Sequence, residues 1–161
     1  MNISVIVPVL NEEKSIGATL VALMALAPYE IIIVDGGSTD RTRTIAEQYG
    51  ISVVASERGR ARQMNRGARQ ASGEVLLFLH ADTSLPSSAF ADISATLTDP
   101  RYIGGRFDVE LDGDHWLLPM VARMISYRSR VTKVGTGDQA IFVRRAAFVR
   151  IGGFPDIPLM E

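Results

Sequence analysis

Three short stretches carry side chains able to do chemistry, and each follows an apolar run. His80-Ala81-Asp82 comes directly after Val75-Leu76-Leu77-Phe78-Leu79. Alternate residues of an extended segment point to the same side. An imidazole and a carboxylate placed two apart can therefore hold one divalent ion between them, or accept hydrogen bonds. Asp35 opens the turn-rich loop Asp35-Gly36-Gly37-Ser38-Thr39-Asp40, after Glu30-Ile31-Ile32-Ile33-Val34. A capped turn accounts for Ser38, Thr39 and Asp40 but less well for Asp35, because an acid at the tip of a buried strand is costly to bury unpaired. Such a carboxylate can accept from the imide N–H of a uracil or from ribose hydroxyls, and Gly36 and Gly37 let the backbone approach a flat ring. The third stretch, Pro8-Val9-Leu10-Asn11-Glu12, reads either as a proline stop with Asn11 as helix N-cap and Glu12-Glu13 at the helix's positive end, or as backbone and carboxylate that meet a nucleoside.

The elements that must position these residues follow from periodicity. Strands are expected at Ile3–Val9, at residues 30–34 and 51–55, and again at the run before His80, whose continuous apolar character suits a strand buried on both faces of a parallel sheet. Between them, Ile16, Leu20, Leu23, Met24 and Ala27 recur at helical spacing, as do Thr42, Ile45, Ala46 and Tyr49, which Gly50 terminates. Residues 59–72 read as a third helix with Gly73 at its C-cap. A β-α-β-α-β-α-β run implies a parallel sheet with helices on its faces. Ligands bind such sheets beyond the carboxyl ends of the strands, so the three stretches should meet on one edge, with His80-Asp82 as the floor of the site. After Asp82 the pattern turns mixed: a helix at residues 86–97, a strand at 102–111 that starts with Gly104-Gly105, an amphipathic segment at 115–127, a strand at 140–144, then a short helix and Gly152-Gly153-Phe154-Pro155.

Composition narrows the function. The 161 residues suit one domain with a real core, at 47% apolar and 22% charged. A net charge of −1 gives no bulk pull toward nucleic acid. The absence of cysteine excludes disulfides and thiolate metal sites. No leader peptide or membrane span is visible, so a cytoplasmic location is expected. No Gly-x-x-x-x-Gly-Lys-Ser/Thr loop is present. Gly135-Thr136-Gly137-Asp138-Gln139-Ala140 fits a dinucleotide fingerprint formally, but it leads into a strand where the fingerprint must open a helix. Arg58, Arg62, Arg66 and Arg69 form a helical stripe; Arg66 and Arg69 read as solvated, whereas Arg62 and Asn65, nearer the helix start, can turn toward a nucleotide. The 115–127 segment, with Trp116, Leu117, Leu118 and Met120, reads as a core helix in preference to a lid or a membrane-facing surface.

Taken in order, these pieces resemble a family-2 glycosyltransferase of GT-A fold over nearly the whole chain. Residues 7–13 resemble the family's opening, and residues 34–42 its V-D-D-G-S-x-D-x-T loop. Asn65-Arg66-Gly67 with Ala71-Ser72-Gly73-Glu74 resembles N-x-G…A-x-G-E, Leu79-His80-Ala81-Asp82 the strand that leads to the D-x-D motif, and Phe142-Val143-Arg144-Arg145 through Gly152-Gly153-Phe154 the F-R-R…G-G-F segment.

The resemblance implies an α/β fold, a Rossmann-type three-layer αβα sandwich with a mostly parallel central sheet and a mixed α+β acceptor-side half. One domain, residues 1–161, would divide into a nucleotide-sugar-binding half (1–84) and an acceptor-side half (85–161). It further implies inverting transfer from a nucleoside-diphosphate sugar, UDP-linked by preference, to the hydroxyl of a glycan, lipid or small molecule, at a membrane surface or away from one. The donor would be held by Pro8, Val9, Asn11, Glu12, Asp35, Gly36, Ser38, Arg62, Asn65, His80, Ala81 and Asp82. Mn²⁺ or Mg²⁺ would sit on Asp82 with His80, where imidazole in place of the first acid of D-x-D favours Mn²⁺. Asp138, Gln139, Gly153 and Phe154 would face the acceptor. The family's general base is the aspartate of a Glu-Asp pair after G-G-F; Glu161 corresponds to the glutamate, so the base and the family's C-terminal part are expected beyond it. The competing reading is a nucleotide-sugar-binding module without catalysis. A nucleotidyltransferase ranks lower, because Asn11-Glu12-Glu13 is acidic where a basic phosphate loop is required.

Overall fold

The computed structural model describes residues 1–108 and 139–156, together with 117, 120, 121, 123, 124 and 126–128. The first half forms β1 (Ile3–Val9), α1 (Ile16–Ala25), β2 (Glu30–Asp35), α2 (Thr42–Gln48), β3 (Val53–Ala55), α3 (Arg60–Gln70) and β4 (Val75–Phe78). Then come α4 (Ala89–Thr96), β5 (Gly104–Gly105), β6 (Ile141–Arg144) and α5 (Arg145–Arg150). The sheet order is β3-β2-β1-β4-β6-β5. The first four of these strands pair in parallel, while β6 runs antiparallel to β4 and to β5.

That order explains the layers. The chain winds from β1 through β2 to β3 and then crosses back to β4. Right-handed crossovers therefore put α1 and α2 on one face and α3 on the other. The packing agrees. Val5, Val7 and Leu77 meet Leu20 of α1, Ala46 of α2 and Ile93 of α4 on one side. Ile6, Leu76 and Phe78 meet Ala68 of α3 and Phe148 of α5 on the other. Both faces are covered, and β4 is buried along its whole length, as its apolar run requires. α3 lies close on the sheet at Gly67, where a Cβ would stand 2.5 Å from Ile6 Cγ2. Phe78, Phe148 and Phe154 close this face with tilted and edge-on contacts at centroid separations of 4.9–5.2 Å.

Several expected boundaries shift. α1 begins at Ile16 with Ser15 at its N-cap, so Asn11 is not the cap, and Glu12 and Glu13 lie ahead of the first turn. α3 ends at Gln70 with an extended Ala71, so Gly73 is not a C-cap. Gly73 is needed for space, since a Cβ there would clash with Ser4 Oγ and stand 2.7 Å from the Asn2 carbonyl oxygen. The strand expected at 102–111 is only Gly104–Gly105 among the described residues. The core reading of 115–127 does not hold for Met120, Val121, Met124 and Tyr127, which are exposed, whereas Ser126 is buried and Leu117 half-buried. Trp116 lies outside the described residues, as do Asp138 and Glu161.

Candidate functional site at the carboxyl ends of the strands

Parallel pairing brings the tips together. Val9 stands opposite Asp35 and Ile6 opposite Phe78, so β1, β2 and β4 end on one edge. Strand order reverses between β1 and β4, which makes this edge the topological switch point, where a crevice opens.

The β1–α1 and β2–α2 loops are tied together there. The Asn11 N–H donates to Ser38 Oγ at 2.9 Å, and the Thr39 N–H returns a 2.9 Å bond to Asn11 Oδ1. Asn11 reaches this position in the left-handed region, at φ 57, which asparagine tolerates. The Glu12 N–H donates to Thr42 Oγ1 at 2.7 Å and the Glu13 N–H to Asp40 at 3.0 Å. Asp40 also accepts from the Thr42 N–H and hydroxyl. Desolvation opposes the Asp40 charge, yet these bonds outweigh it and hold the carboxyl below its ordinary range. The Glu12 carboxylate takes a 2.7 Å bond from the Ser15 hydroxyl.

Asp35 is buried, at 2% exposure, but not unpaired. Its carboxylate accepts from the N–H groups of Gly37 (3.3 Å) and Ser38 (3.0 Å). The turn thus accounts for Asp35 better than expected: its own loop turns back to solvate it. Two donors do not exhaust a carboxylate's acceptor sites, so capacity for a ligand remains. Gly36 has a packing reason within the fold as well. A Cβ there would stand 2.9 Å from the Gln63 amide, so the glycine makes room for a side chain. Gly37, at φ 98, supplies the turn.

Gln63 is the residue that the sequence reading missed. It is 4% exposed, and its Nε2 donates 2.8 Å bonds to both the Val9 and the Val34 carbonyl oxygens, bolting the tips of β1 and β2 from the α3 side. A polar residue one turn before Gly67, on the helix face that touches the sheet, was the available signal.

The β4 tip differs from the extended segment assumed for it. The strand stops at Phe78, Leu79 adds one bond to the Ile6 carbonyl, and the Thr83 N–H closes a turn on the His80 carbonyl at 3.1 Å. Same-side projection of His80 and Asp82 therefore does not follow from strand alternation. His80 is half-buried and Asp82 exposed. The Thr19 hydroxyl of α1 bonds the buried Ala81 carbonyl, fixing the turn to the body of the fold. Among the described residues no three His, Asp or Glu side chains gather to hold a metal. One exposed carboxylate beside one imidazole fits an ion only if a ligand's own oxygens complete the shell.

Arg62 and Asn65 are engaged elsewhere. Arg62 pairs with Asp156 and Glu57, each at 2.8 Å; its hydrogen bond to Asp156, foremost, raises the guanidinium pKa. Asn65 clamps the backbone of Phe154, accepting from its N–H at 2.9 Å and donating to its carbonyl at 2.8 Å. Both line a cleft of about 360 Å³, together with Arg66 and Arg69, that starts at Ala55 and Ser56 at the carboxyl end of β3, so they adjoin the row of tips without facing into its middle. The G-G-F segment is thereby held against α3: a Cβ on Gly153 would meet Asn65 Oδ1 at 2.5 Å. Gln139 is buried, and its carbonyl accepts from the Phe107 N–H at 2.8 Å, just ahead of β6.

The family model described as "Glycosyl transferase family 2" matches residues 4–154. The chain belongs to this family. Among curated relatives, a glycosyltransferase of Mycobacterium tuberculosis (strain ATCC 25618 / H37Rv) is 32% identical over 123 residues, covering 76% of this chain and 55% of its own. The PGL/p-HBAD biosynthesis glycosyltransferase of the same strain is 30% identical over 178 residues, covering 94% of this chain and 62% of its own. The chain thus spans little more than half the length of these relatives. The fold matches solved GT-A structures. Mannosyltransferase PcManGT from Pyrobaculum calidifontis, in complex with GDP-Man and Mn²⁺, has a TM-score of 0.79 at 24% identity over 96% of this chain and 48% of that one. S. aureus TarS in complex with UDP-GlcNAc reaches 0.73 at 24% identity over 96% and 49%.

Proposed function

We propose that this chain supplies the donor-binding part of a glycosyltransferase that uses a nucleoside-diphosphate sugar. The observation that carries the reading is the joined row of tips: Val9, Asp35 and the His80–Asp82 turn on one edge, with two loops cross-linked above it. The reading assigns the base and ribose to the edge between the β1–α1 loop (Pro8, Val9, Asn11, Glu12) and the β2–α2 loop (Asp35, Gly36, Ser38). Asp35, desolvated and already oriented by its loop, accepts from the nucleoside, and the diphosphate lies toward Ala81 and Asp82. Asp82, with His80, would hold a divalent ion that neutralises charge on the departing diphosphate. Residues 1–84 then form the donor half and residues 85–161 the acceptor side, where Gly153 and Phe154 stand beside α3 through Asn65. In the transfer the acceptor oxygen bonds the anomeric carbon, the bond to the diphosphate breaks with inversion, and the acceptor proton passes to a base that the family places after G-G-F.

UDP is the favoured nucleotide; PcManGT in its complex carries GDP-Man and TarS in its complex UDP-GlcNAc. Thermal unfolding with UDP, GDP or dTDP plus Mn²⁺ or Mg²⁺ tests the assignment. One nucleotide at a hundredfold over its Kd should stabilise the chain by about 2.7 kcal/mol, with the ion required and the effect reduced in Asp82→Ala. If no nucleotide raises the midpoint with either ion, the proposal fails.

A further inference from the structure

The two flanks of the sandwich carry opposite charge. On the α1/α2/α4 flank, residues 11–27, 36–50 and 84–101 hold four basic side chains against six acidic ones. On the α3/α5 flank, residues 56–74 and 145–156 hold seven arginines against three carboxylates, in a chain of net charge −1. Two of those three carboxylates, Glu57 and Asp156, are committed to Arg62. Arg60, Arg66, Arg69, Arg145 and Arg150 are exposed, and among the described residues no carboxylate pairs with any of them.

These arginines share one side of the molecule. α3 and α5 lie on the same sheet face, joined through Phe148, Ala68 and Phe78 and through the Asn65–Phe154 clamp, so their outer surfaces point the same way. Beside Arg150 on that surface, Val149 and Ile151 are 68% and 66% exposed. The helix buries Ala147 and Phe148 against the sheet and leaves Val149, with Ile151 just past its end, on the arginine-bearing side.

We propose that the α3/α5 flank docks on an anionic lipid bilayer, with the arginines on headgroup phosphates and Val149 and Ile151 in the interface. Surface arginines attract anionic lipid electrostatically, and adjacent aliphatic groups add burial at the headgroup boundary. A nucleic-acid partner suits the face less well, because no exposed aromatic side chain lies in these two segments to stack on bases. Arg66 and Arg69 line the cleft that also holds Arg62 and Asn65, beside the row of tips, but the donor reading uses none of Arg66, Arg69, Val149 and Ile151, so this inference stands apart from it.

Co-sedimentation of the 161-residue chain with vesicles tests it. The chain should partition onto phosphatidylcholine vesicles that contain 30 mol% phosphatidylglycerol, about tenfold or more above pure phosphatidylcholine, and should be released at high salt. Arg66→Gln with Arg69→Gln should weaken partition about twenty-five-fold, at roughly fivefold per charge, and the double lysine variant should restore it. Val149→Ser with Ile151→Ser should weaken it several-fold at unchanged salt dependence. All four positions are exposed, so unfolding midpoints should not move. Absent or charge-independent partition overturns the proposal, as do glutamine variants that bind like the parent. Preference for a short RNA over the vesicles, with the serine variants indistinguishable from the parent, overturns it in favour of a polyanion site.

Discussion

Strand β2 carries an acid at each end, and the two are used in opposite ways. At the amino end, one oxygen of Glu30 collects four donors from two other parts of the chain: the Ser4 hydroxyl (2.6 Å), the Ser72 N–H (2.7 Å) and hydroxyl (3.0 Å), and the Gly73 N–H (3.2 Å). Ser4 is wholly buried, and there is no room for a Cβ on Gly73. This edge is closed, with the carboxylate as the joint between β1, β2 and the entry to β4. At the carboxyl end, among the described residues the Asp35 carboxylate is bonded only within its own loop, and the bonds between loops bypass it, running from Asn11 to Ser38 and Thr39 and from the Glu12 and Glu13 N–H groups to Thr42 and Asp40. An acid saturated by distant segments holds a fold together. An acid that is shaped by its own loop, at the open end of the same strand, keeps acceptor capacity for something else.

That contrast is sharpest at Asp35. Asp35→Ala should weaken nucleotide binding by about 2 kcal/mol, some thirtyfold in Kd, the usual worth of a hydrogen bond to a charged group. It should cost only about 1 kcal/mol of stability, because the freed N–H groups of Gly37 and Ser38 lie near solvent. Titration calorimetry and denaturant unfolding on the same sample separate the two effects. If stability falls by much more than affinity, Asp35 is a structural acid like Glu30 and the contrast is broken.

Glu30 should show the reverse. Burial opposes its charge, but the bonds from Ser4, Ser72 and Gly73 outweigh that and hold its pKa below the usual 4.5. A carboxyl with a lowered folded pKa contributes stability that is present above its unfolded value and is lost as pH falls through the folded one. Glu30→Gln should therefore cost about 2 kcal/mol at pH 7. The gap between the two proteins should narrow as pH drops below about 4.5. Nucleotide affinity should not change. Urea midpoints from pH 7 down to pH 3 provide the measurement, and a gap that stays constant would remove the ionic role.

What the sequence showed and hid divides along similar lines. Repeating patterns were legible: β-branched and continuous apolar runs marked all four parallel strands and apolar spacing marked helices between them, because such patterns are a local property. The convergence of Pro8-to-Glu12, Asp35 and His80-to-Asp82 on one edge was legible too, since parallel strands end together. Partners contributed from far along the chain were not. Nothing near Asp35 says that its loop will turn back and solvate it, nothing near Gly36 announces Gln63, and Asp156 lies 94 residues from the Arg62 it captures. Read locally, Asn11 suits a helix cap, a position asparagine favours, yet its side chain spans 28 residues to Thr39. The turn at His80–Thr83 was masked by the apolar run before it, which continues through Leu79 although the strand has ended.

Asn11 also gives the smallest and most discriminating test of the open edge. Its side chain is exposed, so little stability depends on it, but it sets the spacing between the two loops that would bracket a nucleoside. Alanine would mix two effects, since the left-handed backbone at this position penalises a Cβ that lacks local hydrogen bonding by about 1 kcal/mol. Glycine removes that strain and deletes only the bonds to Thr39 at 2.9 and 3.3 Å. Asn11→Gly should lower nucleotide affinity about threefold while stability changes by less than about 1 kcal/mol. Asn11→Asp, which keeps the acceptor for the Thr39 N–H, should lie between glycine and the parent. If glycine instead costs as much stability as Glu30→Gln, the two edges are equally structural, and the cross-loop bonds would have to be counted with the framework.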